Sequence, residues 1–511
     1  MSKREPASHQ HSMSYLDCAP RTKGGGRKKI DVIDQTLRDG PQSWWGMKMR
    51  KDMGMPIAQD LDRAGFHTID LVGSSIFEVL VRHCKADPWD QLISLSKAMP
   101  KTTVRGGTRS NGIVTFGLTA DSVMDLWVQR LVAHGIGSMW IYDGLFNIDK
   151  IGRLVKTTQA AGAEAIPCIL FADSPYHTDD YYAARTKELV ALGADGIELE
   201  DAAGLLTPAR TRTLVAAIKQ AAGDLPVEIH FHSNNGMAPL NYIEGLLAGA
   251  DRVHSASRPL AAGVSLPSNE NTLANLRYAG FDVDVDESFF APVEQHLLRV
   301  AEYEALPVGK PAEFALYQYR HQLPGGMAGT FKDQLRARGM EDRFEEVLDE
   351  MSLVREELGY PVMATPFSQL VGTQAVLNVV TGKRYSVVPD EVMIYAHGFY
   401  GKPVAPLDQN VVDLIMSTPK AKNYKDWEPP QPSLDELRKR FGKDISDDEL
   451  ILRLLVPEND IDAMRATPAR ERDFAPTTKQ GRFIRELVET SVEAYLQIDG
   501  PGFSLTLEGD H

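Results

Sequence analysis

Only three cysteines occur in 511 residues, Cys18, Cys84 and Cys168. Spread that widely, they supply neither a disulfide framework nor a zinc knuckle. No uninterrupted apolar run approaches the roughly 20 residues that a membrane-crossing helix requires. The start, Met1-Ser2-Lys3-Arg4-Glu5-Pro6, lacks the apolar stretch of a secretory signal. Basic charge is also short: 55 Lys and Arg stand against 70 Asp and Glu, a net charge of −15. Nucleic-acid affinity comes from neutralising phosphates, so the acidic balance argues against a nucleic-acid partner. Internal repeats and low-complexity blocks are missing. With 43% apolar and 24% charged residues, the composition excludes disorder as the main theme. The expectation is a reduced, cytoplasmic globular protein, too long for one small core.

Residues 1–29 read as a flexible N-terminal tail that ends in Gly24-Gly25-Gly26 and Arg27-Lys28-Lys29. From Ile30 onward, short apolar runs that end in polar residues alternate with amphipathic helical stretches. Strands are expected near 30–34, 67–73, 102–106, 138–143, 165–171, 196–201, 227–232 and 252–256. Helices are expected over 118–134, 148–162, 179–193, 207–222 and 240–248. Eight strands interleaved with helices predict the α/β class, as a (β/α)8 TIM barrel over 30–305. An open doubly wound sheet would concentrate polar ends at one switch point. Here Asp34 to Asp39, Asp70, Arg105, Asp143, Glu200-Asp201 and His230 with His232 all stand at expected strand ends. After about residue 290 the alternation stops, and helices are expected over 288–305, 332–358, 366–381, 433–442 and 446–455. These give a mainly helical C-terminal domain over 306–465. Residues 466–511 form a C-terminal tail, with a helix from Gln480 to about Glu493 and strand-like runs Tyr495–Ile498 and Phe503–Leu507. This tail is a candidate docking element for a partner, or packs on its own domain.

Two constellations carry chemistry. Residues two apart on a strand share a face, so His230 and His232 project together into the barrel mouth. Two imidazoles call for a further ligand to hold a divalent metal, and Asp39 or Glu200 can supply a carboxylate. The plainer alternative is a pair of histidines satisfied by hydrogen bonds. The second constellation is Asp34-Gln35-Thr36-Leu37-Arg38-Asp39-Gly40-Pro41-Gln42. There Asp39 can face a metal while Arg38 holds a carboxylate or enolate oxygen. A local surface ion pair of little consequence is the alternative.

The run from Asp34 to Ser43 resembles the opening motif of metal-dependent barrel lyases and of biotin-dependent carboxyltransferases. The closer likeness is to the second group: the pyruvate carboxylase carboxyltransferase domain, the transcarboxylase catalytic subunit and the oxaloacetate decarboxylase alpha subunit. Supporting segments are Ala86-Asp87-Pro88-Trp89-Asp90, Val104-Arg105-Gly106, Ser174-Pro175-Tyr176-His177-Thr178 and Asp201-Ala202-Ala203-Gly204-Leu205-Leu206-Thr207-Pro208. Further along come His321-Gln322-Leu323-Pro324-Gly325-Gly326-Met327 and Thr365-Pro366 to Gln374-Ala375-Val376. The likeness spans about 30–460, with its motifs in order.

The resemblance implies that Asp39, His230 and His232 are ligands of a divalent metal: zinc, manganese or cobalt. It implies that Arg38, Gln42 and Arg105 hold a small carboxylate substrate and its enolate. Asp70 lines the same mouth or is a buried structural carboxylate. Glu200 stands where the family has a carboxylated lysine. It ligates the metal directly, binds through water, or serves as a base. The family's proton-shuttling threonine or serine falls at Gly329, with Thr330 beside it on the substrate side. A family glutamine is lost in Gly263-Val264-Ser265-Leu266-Pro267. The implied chemistry is carboxyl transfer between carboxybiotin and an enolisable acid. The sequence holds no Ala-Met-Lys-Met-type biotinylation site and no carboxylase-type ATP-binding domain. The expected partners are therefore a separate biotin carboxyl carrier protein and a biotin carboxylase subunit, with the chain as a homo-oligomer. A biotin-independent metal lyase or aldolase is the alternative enzyme, and a scaffold subunit with a decayed site is the non-catalytic one.

Overall fold

In a computed structural model the described residues are 15–22, 24–113, 117–337, 339–474, 495–500 and 503–508. The apolar runs form eight short strands, nearly all buried, as parallel strands covered on both faces must be. They are β1 (Asp31–Asp34), β2 (Thr68–Gly73), β3 (Thr103–Arg109), β4 (Ser138–Tyr142), β5 (Glu164–Leu170), β6 (Ile197–Asp201), β7 (Val227–Phe231) and β8 (Arg252–Ser255). Each pairs in parallel with its neighbours, and β1 closes on β8 through Asp31↔Arg252 to Asp34↔Ser255. The expected TIM barrel is therefore present. Helix starts carry their own signals: the side chains of Asn147, Thr178, Thr207 and Ser268 each accept a backbone N–H of the following turn.

The structure adds helices over Asp39–Trp45, Lys51–Arg63, Pro88–Ala98 and Asn269–Tyr278. Pro56 lies inside the second of these and obscures its pattern in the sequence. The single helix expected over 332–358 is two, Gly325–Arg336 and Phe344–Glu357. Gly339 breaks it at φ +66°, while Met340 N–H caps Leu335 C=O. The helical region has its own apolar core, in which Phe331, Val354, Phe367, Val371 and Tyr395 are buried. Barrel and helical region lie in one compact unit, residues 1–471. In the second unit, β9 (Tyr495–Gly500) pairs antiparallel with β10 (Phe503–Glu508). The helix expected from Gln480 to Glu493 lies outside the described residues. Among the described residues no helix is long and apolar enough to cross a membrane.

Candidate active site

Strand alternation aims Glu198 and Glu200 of β6 and Glu228 and His230 of β7 into the barrel, and the register sets Glu200 beside His230. His232 follows β7, and Asp39 opens the helix that follows β1. Ligand atoms of Asp39, His230 and His232 all lie within 4.8 Å of one another, and all three residues are buried. The Nε2 atoms of His230 and His232 are 3.3 Å apart, and His232 Nε2 is 3.6 Å from Asp39 Oδ2. Two nitrogens about 2.1 Å from one ion and 3.3 Å from each other subtend about 104° at it, near tetrahedral. His232 Nδ1 donates to Val264 C=O at 2.7 Å, which leaves its Nε2 lone pair free. Burial, then the neighbouring His254 and Arg38, hold the His230 imidazolium well below its ordinary pKa. A neutral imidazole is the form that ligates, so the residues present fit a divalent metal.

Arg38 NH1 donates to Asp39 Oδ1 at 3.1 Å, and NH2 lies 3.5 Å from Asp70 Oδ2. Its guanidinium lies over the Trp140 ring at 4.9 Å. Ser43 Oγ donates to the other oxygen of Asp39 at 3.2 Å. A cavity of about 350 Å³ opens above these groups, lined among others by Arg38, Gln42, Trp140, Tyr142, Glu200 and His232. Its outer wall comes from the helices Gly325–Arg336 and Phe367–Thr381, through Met327 and Ser368.

The structure separates the expected site residues. Arg38, Gln42, Glu200 and His232 line the cavity, and Asp39 and His230 lie directly beneath. The Glu200 carboxylate is grouped with Cys168 and Glu198 rather than with the three-ligand set. Cys168 Sγ–H donates to it at 3.6 Å, and burial raises the Glu200 pKa from its ordinary value. Arg105 is not among the cavity-lining residues. The strand expected to stop at 106 runs on to Arg109, so Arg105 sits in mid-strand, fully buried, with its fork on Glu228 at 2.7 and 3.1 Å. Asp70 is likewise buried, 3.7 Å from Arg105 Nε, and accepts from Gln35 Nε2 at 2.6 Å. Both act inside the lumen instead of at the mouth. Thr330 belongs to the helix Gly325–Arg336, and its side chain lies outside the described residues.

The sequence singles out none of Trp140, Glu198, Glu228 and His254, and gives Gln35, inside the Asp34–Gln42 run, no role of its own. The signal for Glu198 and Glu228 was present: each precedes a singled-out residue by two and so shares its face. His254 gave no such signal.

Comparison with known proteins bears out the resemblance. The family model described as HMGL-like matches residues 146–286, and the one described as a conserved carboxylase domain matches residues 319–496. A pyruvate carboxylase subunit of Methanocaldococcus jannaschii is 32% identical over 94% of this chain and 84% of the relative. The 2-oxoglutarate carboxylase large subunit of Hydrogenobacter thermophilus is 31% identical over 95% of this chain and 77% of the relative. Among solved structures, the pyruvate-bound carboxyl transferase domain of Rhizobium etli pyruvate carboxylase superposes with a TM-score of 0.80. It covers 96% of this chain and 89% of that one at 22% identity, which supports the fold.

Proposed function

This chain belongs to the family of carboxyltransferase components of biotin-dependent carboxylases, and we propose that its acceptor is a small 2-oxo acid. The two relatives above are named for pyruvate and for 2-oxoglutarate, which share the 2-oxo carboxylate group. The observation that carries the site assignment is one cavity: Arg38, Gln42 and Glu200 border it directly over Asp39, His230 and His232. A divalent metal held by Asp39, His230 and His232 would supply Lewis-acid stabilisation of the enolate oxygen. Arg38 presents a planar guanidinium to the acid's oxygens, with Asp39 and Asp70 fixing its orientation. Gln42 adds a neutral donor on the same wall. Glu200 places a carboxyl group next to His230 across the β6–β7 register, where the family carries a carboxylated lysine. In the net reaction the N–C bond of carboxybiotin breaks and a C–C bond forms at the acid's enolisable carbon. The proton lost by that carbon ends on the biotin nitrogen.

Biotin comes on a separate carrier protein, loaded by a separate ATP-dependent carboxylase. A pull-down of the tagged chain from its source, probed with streptavidin and assayed for bicarbonate-dependent ATP hydrolysis, tests this partnership. Recovery of a biotinylated protein with that activity is expected. A chain that turns over 2-oxo acids but never recovers biotin belongs with the biotin-independent lyases instead.

A further inference from the structure

Beneath the three ligand residues lies a second row of polar groups, among which Gln35, Glu228 and His254 are fully buried. Glu228 stands two residues before His230 on β7, so both face the lumen. Its carboxylate takes two bonds from Arg105, at 2.7 and 3.1 Å, and one from Arg252 at 2.6 Å. Between two guanidinium groups it is ionised and only accepts. His254 Nε2 lies 3.3 Å from Glu228 Oε2, so this nitrogen carries the proton.

The other end of His254 is fixed independently. Gln35 Nε2 lies 2.6 Å from Asp70 Oδ2, and a carboxylate accepts, so the amide turns its nitrogen there. The same NH2 group lies 2.9 Å from His254 Nδ1, which is therefore an acceptor. His254 Nδ1 is also 3.0 Å from His230 Nδ1. Two unprotonated nitrogens at that distance would set lone pair against lone pair, so His230 Nδ1 carries the proton and shares the His254 acceptor with Gln35. The lone pair of His230 is then on Nε2, the atom that faces His232 Nε2 at 3.3 Å.

We propose that His254 is a positioning residue for the metal centre: clamped by Glu228 and Gln35, it holds His230 in the one tautomer whose Nε2 faces the ion. The proposal rests on the metal reading of Asp39, His230 and His232. Hydrogen bonds behind a ligating imidazole set its tautomer and orientation, and losing them costs about 10- to 100-fold in metal affinity. Glu198, His230 and His254 also bring ligand atoms within 4.8 Å of one another. An ion there would need both facing Nδ1 atoms unprotonated, with Arg105 NH1 3.7 Å from Glu198. The tautomer chain gives every N–H along it an acceptor, with His254 Nδ1 shared between Gln35 and His230.

The test adds cobalt(II) to the metal-free full-length chain. Affinity is read by chelator competition, ligand geometry by visible absorption, and folding by the thermal midpoint of each metal-free protein. Wild type should bind one cobalt. His254→Leu should bind it about 10- to 100-fold more weakly, with an altered spectrum. His254→Asn, whose Oδ1 replaces Nδ1 as the acceptor, should recover most of the loss. His254→Gln, whose amide reaches past that position, should not. Where the leucine variant fails to fold, the comparison of Asn with Gln decides. Wild-type affinity in the leucine variant, or equal affinities for Asn and Gln, would overturn the positioning role. Two cobalt ions in wild type, falling to one without His254, would replace it with a second ion site. A wild-type chain that binds no cobalt would overturn the metal reading itself.

Discussion

Arg38 joins charge and shape at one residue: it is 5% exposed, paired with Asp39 and Asp70, and its plane lies over Trp140. Lysine in its place keeps the charge but loses the planar fork. Arg38→Lys should lower kcat/KM by about tenfold or more in steady-state kinetics, the loss of a charge-assisted bond. Unchanged kinetics would reassign the residue to structure. Glu200→Gln keeps shape and removes charge, so it should lower metal content or turnover, and wild-type activity should not change when carbon dioxide is removed. Metal analysis, turnover and thermal midpoint measured together separate that outcome from simple destabilisation. At this scale His230 and His232 were legible, because a spacing of two on a strand fixes a shared face. Arg105 was not, because its role depends on where β3 ends. Three further residues of strand carry it from the mouth into the lumen, and no local signal marks that depth.

Among the elements, β3 and β4 set the wall against which Arg38 rests. Gly107 makes their packing possible: a Cβ there would stand 1.8 Å from the Trp140 ring. That ring stacks on Tyr142 at 5.5 Å, and both line the cavity. Gly107→Ala should therefore destabilise the protein by about 1–3 kcal/mol or more, as overpacking does. It should also loosen substrate binding by shifting Trp140. A thermal melt beside KM measures both, and an unchanged midpoint would contradict this packing. All eight strands were legible, since each apolar run is short and bounded by helical pattern. Helices were less so: Pro56 hides one, and Gly339 divides another that reads as continuous.

Across the whole molecule the barrel is unusual in what fills it. Asp39, Asp70, Glu198, Glu200 and Glu228 are packed against Arg38 and Arg105 where apolar layers are the norm. Acids outnumber guanidinium groups, an imbalance that suits a divalent cation at its upper edge. An ion bound only by the folded state stabilises it by about 2.7 kcal/mol at a hundredfold excess over Kd. Chelation should lower the thermal midpoint, and restored metal should raise it again. His230→Ala combined with His232→Ala should abolish both responses, and an identical response in that double variant would place the ion elsewhere. The overall architecture was legible in the eightfold rhythm of the chain. The charged lumen was not, because it emerges only when residues from many strands are brought to one axis. Carboxyl transfer over this metal site is the central claim, and its reverse reaction is the direct test. Oxaloacetate and oxalosuccinate, the carboxylated forms of pyruvate and 2-oxoglutarate, are each given to the purified chain with and without free biotin, and release of the 2-oxo acid is followed. Release from one of them that rises with biotin, needs metal and is lost in His230→Ala is the predicted result. Rates for both that are the same without biotin would contradict it.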